Sequence, residues 1–178
     1  MQQKIPELAL EIRKGAGAHV FYLTEQTGLY IENVLVFILD GIKNEDYVLI
    51  VESKRLTPII KERLQNILTA EEFAKVYFFD NFNLYWQKGN FMPSSIIEYF
   101  RETFETSLLE EGNFRTWGHI EWSTQDSLEE ELLTYEMEVG RLISEHNLIA
   151  VCAYDAMRVN EDLREQLGTY HNYLMKDD

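Results

Sequence analysis

The chain has 178 residues, 16 Lys and Arg against 31 Asp and Glu for a formal net charge of −15, 46% hydrophobic residues and a single cysteine. That length suits one domain over residues 1–178, and the absence of a basic run excludes nucleic acid as a direct partner and disfavours an anionic membrane surface. The longest apolar runs, Val34–Leu39 and Leu148–Tyr154, fall far short of the ~20 residues that span a bilayer, and one cysteine supplies neither a disulfide framework nor a Cys-rich zinc site, so a cytoplasmic protein is expected.

Taken in chain order, a helical extension over 1–14 leads to a strand at His19–Leu23. From Thr27, the apolar residues Ile31, Val34, Leu35, Ile38, Leu39 and Ile42 keep the i, i+3, i+4, i+7 spacing of one helix face. Tyr47–Val51 is a continuous apolar run of strand length, the mark of a strand covered on both faces. Thr57 and Pro58 predict a helix start, with Thr57 as N-cap and Ile60, Leu64, Ile67 and Leu68 inward. Val76–Phe79 is the next strand; Pro93 opens a helix with Ile96, Ile97, Phe100, Phe104 and Leu108 inward, ended by Gly112. Phe114–Trp122 reads as a strand, and Asp126 with Glu129 caps a helix buried through Leu128, Leu132, Tyr135, Val139 and Leu142. Leu148–Tyr154 is the last strand, followed by a short helix from about Asn160.

Five strand–helix alternations predict a three-layer α/β/α sandwich with a mostly parallel sheet joined by right-handed crossovers. Ligands of such sheets bind at the carboxyl ends of the strands. That rule singles out Tyr22, Leu23 and Thr24, then Glu52, Asp80, Glu121 with Trp122, and Tyr154 with Asp155. A nucleotide-hydrolysing version would need a glycine-rich loop with a lysine after the first strand. That connection is Thr24-Glu25-Gln26-Thr27-Gly28, and no lysine lies between Lys14 and Lys43, so a Walker-type ATPase is excluded.

His19, His119, His146 and His171 show none of the close spacings of a metal motif, and no metal or cofactor is expected. Cys152 meeting His19 or His171 across the fold would make a nucleophile and its base, or part of a metal site, although a cysteine on an apolar strand ordinarily packs as a small hydrophobe. Glu121 and Glu136 are an acid–base pair only if the fold opposes them across a cleft. Trp117, Trp122, Tyr135 and Tyr154 would line an aromatic pocket or simply pack. The acidity is regional: residues 101–140 hold 11 acids and 2 bases, a net −9.

Several segments together resemble the MEDS domain, the sensory domain of the dichloromethane-metabolism repressor DcmR and of methanogen and methylotroph signalling proteins. They are Gly17–Leu23 as the opening strand, Leu84–Pro93 with its aromatic, glycine and Phe-x-Pro elements, Trp117–Trp122 with its Gly-x-x-x-Trp end, Tyr135-Glu136, and Cys152-Ala153-Tyr154-Asp155. His171 stands at the place of a histidine in the closing helix. Departures are Ala18 for a common acidic residue, Ala153 for a usual glutamine, and Tyr170-His171-Asn172 for Thr-His-Pro.

The resemblance implies a RecA/KaiC-like sandwich without Walker motifs, serving as a sensory input module, with small hydrocarbon derivatives as proposed ligands in the family. The expectation is a non-catalytic regulatory domain that binds a small molecule at the carboxyl edge of the sheet and signals through a protein partner, with a homodimer possible. Its candidate ligand-binding residues are His19, Tyr22, Glu121, Trp122, Glu136, Cys152, Tyr154, Asp155 and His171. The alternatives are a ligand-free interaction module docking through its acidic 101–140 surface, and a Cys–His enzyme. Glu136 and His171 also read as a buried polar pair that fixes the closing helix.

Overall fold

The computed structural model describes residues 17–85, 97–99, 102, 113–122 and 128–177. Their elements run β1 (Ala18–Thr24), α1 (Thr27–Lys43), β2 (Tyr47–Glu52), α2 (Thr57–Gln65), α3 (Ala70–Phe73), β3 (Val76–Asp80), α4 (Asn81–Tyr85), β4 (Phe114–His119), α5 (Leu128–His146), β5 (Ile149–Asp155), α6 (Glu161–Tyr170) and β6 (Tyr173–Lys176). The strands form one sheet in the order β3-β2-β4-β5-β1-β6, with every neighbouring pair parallel.

Helices cover both faces, giving two cores. Successive side chains along a strand point to opposite faces. Val20 and Tyr22 of β1 and Val151 and Ala153 of β5 therefore pack with α1 and α2. Phe21 and Leu23, with Ala150, Cys152 and Tyr154, pack with α4, α5 and α6. The apolar face of α1 is the one its spacing predicts: Ile31, Val34, Leu35, Ile38 and Ile42 are buried. The three-layer sandwich is as expected, but with six strands. Tyr173–Lys176 alternates half-buried, exposed, buried, exposed, an edge strand too short and too polar to announce itself.

Local details differ from the expectation. Thr57 is the first helical residue of α2, not its cap; Leu56 holds the cap position without a side-chain bond, while Pro58 sits in the first turn. Ile60 and Leu64 are buried, but Ile67 lies beyond the helix and is exposed. A capping box on Thr69 and Glu72 starts the one-turn helix α3, which no apolar periodicity signals. β4 stops at His119 rather than Trp122. The extension at 1–14, most of the helix expected from Pro93, and the Asp126 cap lie outside the described residues.

A glycine fixes the entry to β1. Gly17 adopts φ +71°, and a Cβ there would stand 2.8 Å from the Leu148 carbonyl oxygen, so both backbone and space demand glycine.

Candidate functional site

Four polar side chains converge in the layer between the sheet and α5/α6. His19 comes from β1, Glu136 from the buried face of α5, Cys152 from β5, and His171 from the residue that ends α6. His19 Nε2 lies 3.0 Å from Glu136 Oε2 and 3.4 Å from Cys152 Sγ, and His171 Nε2 lies 3.3 Å from the same Glu136 oxygen. The imidazole centroids are 3.8 Å apart. Tyr154 donates its hydroxyl to the other Glu136 oxygen, Oε1. Both histidines turn Nδ1 to a main-chain carbonyl: His19 to Tyr170 at 2.8 Å and His171 to Leu167 at 2.7 Å. Tyr170, His171 and Asn172 follow one another, and Asn172 also bonds the main chain of His19, so the end of α6 is laced to the start of β1.

The cluster is sealed. Glu136 is fully buried and the side chains of both histidines are at most 2% exposed. Burial alone would raise the Glu136 carboxyl, but the charges and hydrogen bonds of His171 and His19 outweigh it and hold it far below the ordinary carboxylate range. Burial and the Glu136 charge push the Cys152 thiol well up, and the same two causes raise the Tyr154 hydroxyl.

Two openings adjoin it. A cavity of about 40 Å³, lined by Cys152, Tyr85, Tyr135, Val51, Gly118 and Leu142, lies on the sheet side of α5. A surface groove of about 450 Å³ reaches the other side of the cluster through His171 and Phe21, with Glu161, Arg164 and Glu165 on its rim.

The carboxyl edge of the sheet carries different groups. Glu52, buried at the end of β2, accepts from Tyr30 Oη at 2.6 Å and the Ser53 amide at 2.6 Å and lies 3.0 Å from His119 Nδ1; Trp117 Nε1 donates to Tyr30 at 3.0 Å. Burial pulls the His119 imidazole down, but the hydrogen bond and charge of Glu52 leave it raised; Glu52 itself is lowered, its desolvation overcome by His119 and Tyr30. After β1, the main-chain amides of Glu25 and Gln26 donate to Asp177 Oδ2 at 2.5 and 2.7 Å, and Tyr22 donates to Asp177 Oδ1 at 2.5 Å. The chain's own carboxylate thus fills the turn between the first strand and first helix, where an α/β fold otherwise offers amides to an anion.

A family model described as "MEDS: MEthanogen/methylotroph, DcmR Sensory domain" matches residues 18–172. The chain belongs to the MEDS family. No curated protein matches it. Among solved structures, a phage-type ATPase domain solved on its own is similar at TM-score 0.58 and 11% identity, covering 98% of this chain and 81% of that one. A DnaB-like replicative helicase is similar at TM-score 0.58 and 14% identity, over 89% of this chain and 46% of the helicase. The flagellar accessory protein FlaH from Methanocaldococcus jannaschii is similar at TM-score 0.57 and 12% identity, covering 96% and 76%. At such identities the likeness shows the RecA-like fold alone.

In this MEDS domain the nine candidate residues separate into three places. His19, Glu136, Cys152, Tyr154 and His171 come together, but not at the carboxyl edge: His19 is the second residue of β1 and Cys152 pairs with Phe21 in mid-strand. The reason is chain order. His171 ends the helix that returns to the amino end of the sheet before β6, and it pulls the cluster inward. Tyr22 faces the opposite side, toward Asp177. Glu121 and Trp122 are at the edge, bound by Arg158, which bonds Glu121 at 2.8 Å and the Trp122 carbonyl and lies over the indole ring at 4.4 Å. Asp155 caps the short turn through Met157. Glu121 and Glu136 therefore face no common cleft. Of the expected aromatic pocket, Trp117 lies on the α1 face, and Trp122 and Tyr154 pack edge to face 5.4 Å apart; only Tyr135 lines the cavity. The expected acidic surface loses members to the interior: Glu136 is buried here and Arg115 is buried on the other face, leaving Glu129 and Glu130 as exposed acids of α5. The residues that sequence reading passed over are Asp177, Tyr85 and the pair Glu52–His119. Glu52 stands at a strand end, which was a usable signal; Asp177 had none, because its partners are about 150 positions away.

No described helix is long and apolar enough to cross a membrane.

Proposed function

We propose that the domain is a non-catalytic regulatory module that takes a small molecule in the layer between the sheet and α5/α6 and reports it to a protein partner. The observation that carries this reading is the seating of Cys152, with Tyr85 and Tyr135, at one wall of a closed apolar cavity whose other side is the His19–Glu136–His171 cluster. A cavity of this volume has room for about three heavy atoms, which fits the small hydrocarbon derivatives proposed for the family. Two hydroxyls and a thiol supply the few oriented polar groups that such a pocket uses for specificity. The Asp177 carboxylate in the turn after β1 argues against a nucleotide phosphate there. The raised thiol of Cys152 argues against an enzyme, since nucleophilic cysteine chemistry needs an accessible thiolate.

The route outward is α5. Its inward face carries Glu136 and Tyr135, while Glu129, Glu130 and Met137 are exposed on its outer face. A ligand that displaces Tyr135 moves the same rigid helix that presents the acids, and a basic partner surface is the chemistry that would read it. A lone buried thiol suits a reducing compartment.

The test is two-dimensional NMR of the full chain with one- and two-carbon alcohols and halides added. Saturable shifts at the amides of Tyr85, Tyr135 and Cys152 are expected. Shifts confined to Thr24–Gly28 and His119, or none that saturate, overturn the reading.

A further inference from the structure

The His19 cluster has too many electron-pair acceptors and too few hydrogens. A carbonyl oxygen can only accept, so the bonds from Nδ1 of His19 to Tyr170 and of His171 to Leu167 place a proton on each Nδ1. Each Nε2 then presents its lone pair to the centre, where a carboxylate oxygen and a sulfur already stand. Glu136 Oε2 and His171 Nε2 are buried without a well-formed hydrogen bond to any described group, and an unpartnered buried polar atom is costly. Something cationic belongs between them.

Protons are the weaker answer. One added proton leaves a lone pair facing the carboxylate; two leave a buried excess of positive charge, with Tyr154 already committed to the far oxygen of Glu136. A divalent cation with one carboxylate, one thiolate and two neutral imidazoles sums to zero charge. The geometry agrees. Ligand atoms around a tetrahedral zinc, with bonds of about 2.0–2.3 Å, stand roughly 3.3–3.8 Å from one another. The atoms here approach at 3.0, 3.3 and 3.4 Å, and all four lie within 4.8 Å of one another. Imidazole Nδ1–H bonded to a carbonyl while Nε2 faces inward is also how metal-ligating histidines are held and their tautomer fixed.

We propose that His19, Glu136, Cys152 and His171 form a binding site for a late first-row divalent cation, zinc foremost, with Tyr154 as the residue that orients the Glu136 carboxylate. A thiolate beside two imidazoles and one carboxylate suits zinc and excludes magnesium and calcium. The cation's charge deprotonates a thiol that burial alone keeps protonated. The acidic rim of Glu161 and Glu165 around the groove that reaches His171 gives the cation a favourable approach. No short-range sequence motif marks the site, because its ligands come from β1, α5, β5 and the end of α6. This inference deepens the sensory reading and rests on the cluster being a site; the metal then forms one wall of the ligand cavity.

The experiment uses the full chain, stripped with a strong chelator and dialysed, then titrated with Co²⁺ and Zn²⁺. A 1:1 endpoint is expected, with tetrahedral d–d bands and a thiolate-to-cobalt charge-transfer band that Cys152→Ser abolishes. Zinc-edge X-ray absorption on the unmutated protein should show one sulfur neighbour at about 2.3 Å with nitrogen and oxygen at about 2.0–2.1 Å. Tyr154→Phe should weaken Zn²⁺ roughly 10–100-fold, the usual effect of losing an outer-shell partner. Absence of 1:1 binding, or bound zinc with no sulfur neighbour, overturns the proposal, and the spectra of the unmutated protein decide this even where a variant fails to fold. Zinc binding with no NMR response to small molecules upholds the metal site and sinks the sensory reading; a small-molecule response at Cys152 without zinc binding does the reverse.

Discussion

Two buried polar clusters lie back to back on the sheet, and they differ in how completely they are satisfied. On the α1 face, the fully buried Arg115 of β4 gives Nε and Nη2 to Asp46 Oδ2 at 2.8 and 2.6 Å. Its Nη1 goes to Asp40 Oδ2 at 2.8 Å and the Phe37 carbonyl at 3.3 Å. Its guanidinium carbon sits 5.1 Å from the Phe37 ring centroid, and Gly41 makes the space: a Cβ there would come within 2.9 Å of Arg115 Cδ and 2.7 Å of Val48. Every guanidinium nitrogen has an acceptor. On the α5/α6 face, the His19 cluster is as deeply buried but left with Glu136 Oε2 and His171 Nε2 unmatched. A closed network specifies structure; an open one of the same depth is what a binding site looks like. Burial of charge alone distinguishes neither.

The contrast is sharpest in stability. Arg115→Ala leaves Asp46 charged in the interior, and since an arginine cannot shed its proton the pair has no cheaper state; a loss of about 3–5 kcal/mol is expected in urea unfolding. A loss under about 1 kcal/mol would break the distinction. Glu136→Gln should cost less, about 1–2 kcal/mol at neutral pH, because the two histidines can relax to their neutral forms once the carboxylate is gone. If it costs as much as Arg115→Ala, the cluster is a structural pair after all.

The smallest effect belongs to the carboxyl edge, where Glu52 meets His119. The His119 imidazole is raised above its ordinary 6.5, so its contribution is complete below 6.5 and lost as pH rises through the folded value. The Glu52 carboxyl is lowered below its ordinary 4.5, so its contribution is complete above 4.5 and lost as pH falls through the folded value. The pair therefore stabilises most between about pH 4.5 and 6.5. His119→Gln should lower the urea midpoint in that window by about 1 kcal/mol of stability and converge with the parent protein at higher pH. A constant offset at all pH values would show that packing against Tyr30, whose ring centroid lies 5.2 Å away, matters and the charge does not.

Legibility followed the range of the interaction. The α1 face and the strand cores at Val48–Val51 and Ile149–Tyr154 obey periodicities that neighbouring residues impose, and the lack of a glycine and lysine pattern after β1 was readable for the same reason. The candidate residues His19, Glu136, Cys152, Tyr154 and His171 were legible as a set through family resemblance, but their meeting place was not. β6 and Asp177 escaped because a four-residue edge strand and a lone acid have no local signature. The wrong cap at Thr57 shows that a good capping residue yields when the chain enters the helix one residue earlier.

By itself the sequence determined the layered α/β class, the missing phosphate loop and the exclusion of basic-surface functions, since these follow from composition and from side-chain period. Only the tertiary structure decided that Arg115 is sealed between Asp40 and Asp46, that Asp177 fills the turn after β1, and that two histidines, a glutamate and a cysteine share one centre. The physical reason is that the sheet's strand order sets β1 between β5 and β6. Residues 19, 152 and 171 become neighbours through parallel register across the sheet, and no stretch of chain short enough to show a pattern contains more than one of them.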